Sequence, residues 1–299
     1  MPIQRLTDRY QKFLGKYGIK YSAAFIIVTL MNNFLWAFKF LTIIPIDRDD
    51  RIKPKDFGSV VCWFPVVGLC IGVFLSAVDL PLYFFFPPLI TDALIILVSI
   101  AITGALHLDG LADTCDGVWG GWNKEKRLEI MKDSRIGSFG AIGLICLLGL
   151  KYLSFHSIGE ISIINNSFFG ASVKCMSCFI SPILVNKCAA LLLMPVVGRW
   201  AQVCAAGLSQ YARGESGTGS FILGGTTRRH VIYASLLPIF LFWYFYGLSG
   251  FVIFAIIIIF TLVWIWYIKK KIGGMTGDTL GATNEIAELM FLLSLLLFR

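Results

Sequence analysis

The sequence predicts an all-α, polytopic membrane protein, a bundle of about six to eight membrane helices. The chain has 299 residues, of which 57% are hydrophobic and only 15% are charged, whereas about a quarter of the residues of a soluble domain are charged. The longest run without a charged residue extends from Val231 to Ile268, which is nearly enough for two spans of about 20 residues each. The segment from Tyr246 to Gly250 is typical of a hairpin in the middle of this run.

Apolar segments in the rest of the chain predict the remaining spans. The predicted spans are about 58–78, 88–107, 137–157, 178–197, 231–247 and 250–268. The apolar tail 289–298 is too short to cross alone, and we expect it to pack against the bundle. Residues 24–46 are ambiguous from the sequence. They lie between basic segments that both favour the cytoplasm, which is compatible with a re-entrant or interfacial piece. Residues 79–91, rich in Pro and Phe, are predicted to connect two spans at the outer face.

The net charge of +8 is typical of a positive-inside bias and not of nucleic-acid binding, since the basic clusters bracket the apolar runs in pairs. All these clusters can therefore lie on the cytoplasmic side. The polar segments 107–136, 198–230 and 269–288 would then face the cytoplasm together. Three distant parts of the chain are thus expected to converge on one site, next to the lipid bilayer.

The segment HLDGLADTCDG, residues 107–117, carries three acids in an apolar context: Asp109, Asp113 and Asp116. A helix advances about 100° per residue, so the three side chains lie within about 60° of one face. Clustered carboxylates repel one another unless a cation is bound, and oxygen ligands of this kind suit Mg²⁺. The alternative is a solvated helix end with incidental acids. His107 points away from the aspartates and is expected to be a hydrogen-bonding residue at the helix end.

The segment MKDSRIGSFG, residues 131–140, offers Asp133 as a further metal ligand and Arg135 as a phosphate clamp. A glycine-bearing helix start is also a natural anion site, although a simple helix cap explains the same residues. In 198–216, Arg199 and Arg213 are candidate phosphate contacts; positive-inside arginines are the alternative. The sequence does not decide between these functional roles and the structural alternatives.

The segment GGMTGDTLGATNEIAEL, residues 273–289, places Asp278 in a glycine-rich turn and Glu285 at helical spacing after it. A carboxylate buried here is a candidate general base or metal ligand. The alternative is a loop followed by a first helical turn that favours acids.

Taken together, these segments resemble the cobalamin synthase family. The matching pieces are FLWAFKFLTIIPI (34–46), TGALHLDGLADTCDG (103–117), MKDSRIGSFGA (131–141), GRW with YAR (198–200, 211–213) and TGDTLGATNEIAEL (276–289). HLDGLADTCDG and DSRIGSFG are the most specific of them. The resemblance covers residues 34–299 as one membrane-embedded transferase domain, and residues 1–33 look like a basic extension.

The resemblance implies a magnesium-dependent enzyme of the last steps of vitamin B12 synthesis, located in the inner or plasma membrane with its site facing the cytoplasm. It would join adenosylcobinamide-GDP to alpha-ribazole or its 5′-phosphate and release GMP. A homodimer through apolar helix faces is plausible. The residues expected in the site are the metal ligands Asp109, Asp113, Asp116 and Asp133, the catalytic residues Asp116, Asp278 and Arg135, and the substrate-binding residues His107, Arg199, Arg213 and Glu285.

Two other functions compete with this interpretation. A CDP-alcohol phosphotransferase of phospholipid synthesis would use the same metal chemistry, but the arginine-containing form of its motif is absent. A cation-coupled transporter would place carboxylates near the bilayer midplane, in paired repeats. Here the acids are near span ends and no repeat is visible.

Overall fold

The computed structural model describes a bundle of α-helices over residues 23–46, 57–158, 182–213 and 218–298. Within these ranges there is no strand, only one isolated parallel bridge between Tyr211 and Met275. The helices are α1 (Ala23–Leu41), α2 (Phe57–Val61), α3 (Phe64–Phe85), α4 (Pro88–Ile102), α5 (Leu106–Gly120), α6 (Lys124–Ile130), α7 (Ser138–Ile158), α8 (Pro182–Gly207), α9 (Thr218–Gly225), α10 (Arg228–Ile272) and α11 (Gly277–Leu295), followed by a short 3₁₀ turn, Leu296–Phe298. The predicted all-α class is confirmed.

Several helices of the described chain are long and apolar enough to cross a membrane. They are Phe57–Phe85, Ser138–Ile158, Val185–Gly207, Arg228–Ile272 and Gly277–Leu296, and the bent pair α4 and α5 counts as one more. Ile26–Leu41 is apolar but shorter, and the path of residues 24–46 relative to the membrane stays a prediction. Most of the predicted extension 1–33, and the start of the predicted span 178–197, lie outside the described residues.

Helix α10 is two antiparallel halves joined at Gly247, whose backbone is non-helical with φ 60°. Trp200 of α8 contacts both halves: its Nε1 donates to Ser235 Oγ at 2.8 Å, and its ring centroid is 4.8 Å from that of Phe254. In a straight helix Ser235 and Phe254 would be roughly 28 Å apart. The predicted hairpin between the spans 231–247 and 250–268 is therefore confirmed.

Three sequence-based boundaries were wrong. The outer connection is not 79–91, because α3 continues to Phe85 and α4 begins at Pro88; a proline such as Pro81 is tolerated inside a membrane helix. Helix α8 continues to Gly207, so residues 198–207 belong to a helix and not to a polar loop.

The third error concerns the C-terminal tail. Residues 289–298 were expected to be too short to cross, but the helix that contains them begins at Gly277 and is a full candidate span. Hydropathy misses this helix because Glu285 and Glu288 lie within it. Both carboxylates are buried and paired with cations from other helices, and a single segment cannot reveal such pairing.

A right-angled bend separates α4 from α5 and ends the predicted span 88–107 at Ile102. The two helix axes differ by 89°, and two of the three residues between them, Gly104 and Ala105, have φ values of 60° and 58°. The chain after α1 covers the end of α4, because the Ile43 N–H donates to the Ile102 carbonyl at 2.9 Å. Helix α5 therefore turns away from α4 and packs between α7 and α11.

Helix α8 packs closely against α3 through two glycines of α3. A methyl group at Gly68 would lie 2.5 Å from the Pro195 carbonyl oxygen, and one at Gly72 would lie 2.7 Å from the Leu191 carbonyl oxygen. Small residues spaced by four let membrane helices approach backbone to backbone. This contact anchors α8, the helix that carries Arg199.

We predict that Gly72→Ala lowers the melting temperature of the purified protein in detergent, because the added methyl must push α3 away from α8. Overpacking of this kind costs about 1–3 kcal/mol. Gly149→Ala is the matched control, since nothing lies within 4 Å of a methyl group there. Equal melting temperatures for the two variants would contradict the close α3–α8 contact.

Candidate functional site

Three carboxylates meet where α5 passes the start of α11, and we call Asp109, Asp113 and Asp278 the acidic cluster. Asp113 interacts electrostatically with the other two. The helices touch here, because a methyl group at Gly110 would lie 2.6 Å from the Asp278 carbonyl oxygen. Asp109 is exposed, whereas Asp113 and Asp278 are half-buried. The cluster is thus open to a ligand on one side and supported by helix packing on the other.

Asp278 is held by the N-terminal cap of α11. The Thr279 N–H donates to Thr276 Oγ1 at 3.2 Å, and the Thr276 N–H donates to Thr279 Oγ1 at 2.7 Å. An acid in the first turn also suits the helix dipole. Arg213 supplies the neighbouring positive charge: its Nη2 donates to Asp278 Oδ2 at 2.6 Å and to the Met131 carbonyl at 3.1 Å.

Arg213 reaches the cluster through the short parallel bridge. The Met275 N–H donates to the Gln210 carbonyl, and the Ala212 N–H donates to the Met275 carbonyl, both at 2.8 Å. The two segments are more than 60 residues apart in the sequence, so helical periodicity gives no signal for this contact. The structure brings together Asp109, Asp113, Arg213 and Asp278, as the convergence of polar segments predicted.

Asp116 has a structural task at the start of α7. Its Oδ2 accepts the Gly137 N–H at 2.7 Å, and its Oδ1 accepts the Gly140 N–H at 2.8 Å. A methyl group at Gly137 would lie 2.4 Å from Asp116 Oδ1, which explains the glycine. The anion at this helix start is therefore the protein's own carboxylate. The metal-binding and catalytic roles of Asp116 stay predictions.

Asp133 and Arg135 form an exposed ion pair with each other. Arg135 Nη2 donates to Asp133 Oδ2 at 2.6 Å, and the Arg135 side chain is 87% exposed. Hydrogen bonds from Arg135 lower the pKa of the Asp133 carboxyl to about 2. Asp133 is therefore anionic at neutral pH. Its role as a metal ligand and the role of Arg135 at a phosphate stay predictions.

A buried ionic network lies deeper in the bundle, and we define it as Lys151, Arg199, Glu285 and Glu288. Lys151 Nζ donates to Glu285 Oε2 at 2.7 Å and to Glu288 Oε2 at 2.6 Å. Arg199 Nη1 donates to Glu288 Oε1, and Asn284 Nδ2 donates to both glutamates. The network joins α7, α8 and α11. Sequence reasoning missed Lys151 because a lone lysine in an apolar run has no helical-face partner.

His107 and Gln202 extend these connections to α5. The Gln202 side-chain amide donates to His107 Nδ1 and to the Leu280 carbonyl, at 3.3 Å each. His107 is only 2% exposed. The predicted substrate contacts of His107, Arg199 and Glu285 stay predictions, and the contacts observed for these three side chains join α5, α7, α8 and α11.

A small cavity of about 20 Å³ lies beside the network, lined in part by Lys151, Arg199, Glu285 and Glu288 and elsewhere mostly by apolar side chains. It is large enough for a single water molecule. Arg199, which lines the cavity, has its Nε buried without a hydrogen-bond partner in the described part of the chain. Buried polar groups of this kind are usually satisfied by ordered water. The cavity is too small for a substrate.

The acidic cluster is suited to hold Mg²⁺ together with water molecules and substrate phosphates, but not by protein ligands alone. Among the described residues, no three His, Cys, Asp or Glu side chains form a metal site by themselves. Mg²⁺ is commonly held by one or two carboxylates together with waters and substrate phosphates. Asp109 and Asp113, one helical turn apart and facing Asp278, match that donor set.

Comparison with known proteins gives consistent matches over nearly the whole chain. The family model described as cobalamin-5-phosphate synthase matches residues 33–296. The chain is 33% identical to the adenosylcobinamide-GDP ribazoletransferase of Geotalea daltonii, over 89% of this chain and 97% of that protein. The proteins of the same name from Clostridium novyi and Thermoanaerobacter sp. strain X514 are 36% and 35% identical, over 90% and 88% of this chain and 98% and 96% of theirs. No solved structure matches.

We predict that Lys151→Met destabilises the folded protein strongly, because it leaves Glu285 and Glu288 buried with too little positive charge. Removing one partner of a buried ion pair costs about 3–5 kcal/mol. Lys126→Met is the matched control, since Lys126 forms an exposed pair with Glu129 at 2.8 Å and such pairs contribute about 0–1 kcal/mol. Unfolding curves in mixed detergent would measure both. Similar losses for the two variants would contradict the importance of the network.

Proposed function

The chain belongs to the cobalamin-5-phosphate synthase family, and from this membership we propose that the acidic cluster is where its phosphate transfer takes place. The enzyme is a transferase of cobalamin synthesis that joins adenosylcobinamide-GDP to ribazole. The family match, over residues 33–296, carries this conclusion and favours it over a phospholipid-forming enzyme and over a transporter. All three aspartates of the acidic cluster lie within the residues that the family model matches.

The reaction exchanges one bond to phosphorus for another. The ribazole hydroxyl oxygen attacks the phosphorus that is linked to cobinamide. The phosphoanhydride bond between the two phosphorus atoms of the GDP group breaks, and its electron pair leaves with GMP. The hydroxyl proton passes to a base, and the product is a phosphodiester. Catalysis of such a transfer consists mainly of positioning and of stabilising charge on the phosphate oxygens.

We assign the roles by the contacts of each side chain. Arg213 is the cation that faces the cluster, so it neutralises a phosphate oxygen. Asp278 is bound to Arg213 through Oδ2, and its other oxygen, Oδ1, accepts the hydroxyl proton. Asp109 and Asp113 would hold Mg²⁺, which would supply positive charge for the phosphates and the leaving group. Asp116 fixes the geometry of α5 against α7.

The cluster is proposed to face the cytoplasm of the cell, from the inner or plasma membrane. Basic residues surround it at the same end of the bundle. Lys269, Lys270 and Lys271 end α10, and the Lys124 side chain packs beside Gly273. Basic loops favour the cytoplasmic side of a membrane. A homodimer through apolar faces stays a prediction of the sequence.

We predict that Asp113→Asn lowers the turnover of the purified enzyme on the order of 100-fold, as loss of a preorganised electrostatic group does. The Mg²⁺ concentration that gives half-maximal rate should rise as well. GMP release from adenosylcobinamide-GDP measures both quantities. Glu129→Gln, which removes an exposed acid of α6, is the control and should behave as the unmodified enzyme. Full activity of Asp113→Asn at low Mg²⁺ would rule out the metal assignment.

A further inference from the structure

A second, larger opening lies at the same end of the bundle, and we call it the basic pocket. It has a volume of about 380 Å³ and is lined by Gly207, Leu208, Ser209, Gln210, Arg228, Lys269 and Gly273. This volume is in the range of small-molecule sites. Its lining contains two cations and backbone groups, but no carboxylate and no aromatic side chain among these described residues.

The pocket exists because α10 folds back on itself at Gly247. Arg228 is the first residue of α10, and Lys269 lies in its last turn. The hairpin brings these two residues, 41 positions apart in the sequence, to one opening beside the end of α8. Lys269 Nζ lies 3.4 Å from the Leu208 carbonyl, and the Ser209 hydroxyl, buried at its oxygen, has no hydrogen-bond partner within the described chain.

The basic pocket adjoins the acidic cluster through the parallel bridge. Gln210 lines the pocket, and three residues later Arg213 binds Asp278. Three residues of extended chain cover at most about 11 Å. The other segment of the bridge also joins the pocket to the acidic cluster, since Gly273 lines the pocket and Asp278 follows five residues later on α11. One small molecule can therefore reach both places.

We propose that the basic pocket binds the 5′-phosphate of the acceptor nucleotide, alpha-ribazole 5′-phosphate, while its reacting hydroxyl lies at the acidic cluster. This inference rests on the proposed function. The matched family is described by a product that carries a phosphate, cobalamin 5-phosphate, whereas the relatives are named for ribazole alone. The two descriptions differ by one phosphate group, and the pocket provides the charges that this group requires.

The composition of the pocket favours a phosphate over the other groups that could enter it. Arg228 and Lys269 offer charge-assisted hydrogen bonds to phosphate oxygens, and such bonds are stronger than neutral ones. The guanine ring of the donor is uncharged and usually binds against apolar or aromatic side chains, and the pocket lining in the described part of the chain contains no aromatic side chain. A phospholipid headgroup shares the phosphate chemistry, so the test must separate it from the nucleotide.

The test compares the two acceptors in the same full-length enzyme, in nanodiscs of phosphatidylcholine. In Arg228→Gln/Lys269→Met, we expect the KM for alpha-ribazole 5′-phosphate to rise at least about tenfold relative to the KM for alpha-ribazole, because two charge-assisted hydrogen bonds are lost. The KM for adenosylcobinamide-GDP should stay unchanged. Arg229→Gln/Lys270→Met is the matched control: it removes the same charges from neighbouring positions that do not line the pocket, and it should leave the ratio unchanged.

Other outcomes would overturn the assignment. A rise confined to the KM of the donor would place the guanosine end in the pocket. An unchanged ratio, with activity that gains from added phosphatidylglycerol only when Arg228 and Lys269 are present, would place a lipid headgroup there. An equal rise for both acceptors would indicate a purely structural role.

Direct binding separates this inference from the proposed function. Equilibrium dialysis of each acceptor, without the donor, should show that the unmodified enzyme prefers the phosphorylated acceptor and that Arg228→Gln/Lys269→Met loses the preference. An enzyme that binds in this way but releases no GMP would contradict the proposed function and support the pocket. An enzyme that releases GMP but shows no such preference would do the reverse.

Discussion

The buried pairing of Lys151 with Glu285 and Glu288 is the interaction on which the rest of the structure depends. Charges in an apolar bundle are costly unless they are paired and hydrogen-bonded, and here one lysine serves two carboxylates at 2.7 and 2.6 Å. Arg199 adds a second cation from α8. The pairing allows α11 to be embedded despite its acids, and it fixes α11 against α7 and α8.

The geometry of the acidic cluster follows from the position of α11. Its first turn presents Asp278 beside Gly110, and the bend after α4 carries α5 across to meet it. The three aspartates of one motif then have different surroundings. Asp109 and Asp113 face the cluster, whereas Asp116 satisfies the backbone N–H groups at the start of α7. Helix α5 thus supplies two carboxylates of the acidic cluster and also the contact that holds it against α7.

Charge is distributed unevenly at this end of the bundle, and the distribution suits a polyanionic substrate. The carboxylates of the acidic cluster lie at the centre, and cations such as Arg213, Arg228 and Lys269 lie around them. Adenosylcobinamide-GDP carries phosphate groups, so a basic rim raises its local concentration and orients it before reaction. The hairpin in α10 is essential to this arrangement, because it brings two distant cations to one opening.

The sequence by itself determined the membrane-helical class, the α10 hairpin and the shared helix face of Asp109 and Asp113, because hydropathy and helical spacing are local properties. It also placed Arg213 and Asp278 in segments that converge. Only the tertiary structure decided that Asp116 caps α7, that Arg199 and Glu285 belong to a buried network with Lys151, and that α11 is a full span. These outcomes depend on pairs of charges from different helices, and the cost of burying a charge is set by its partner in space and not by its neighbours in the chain.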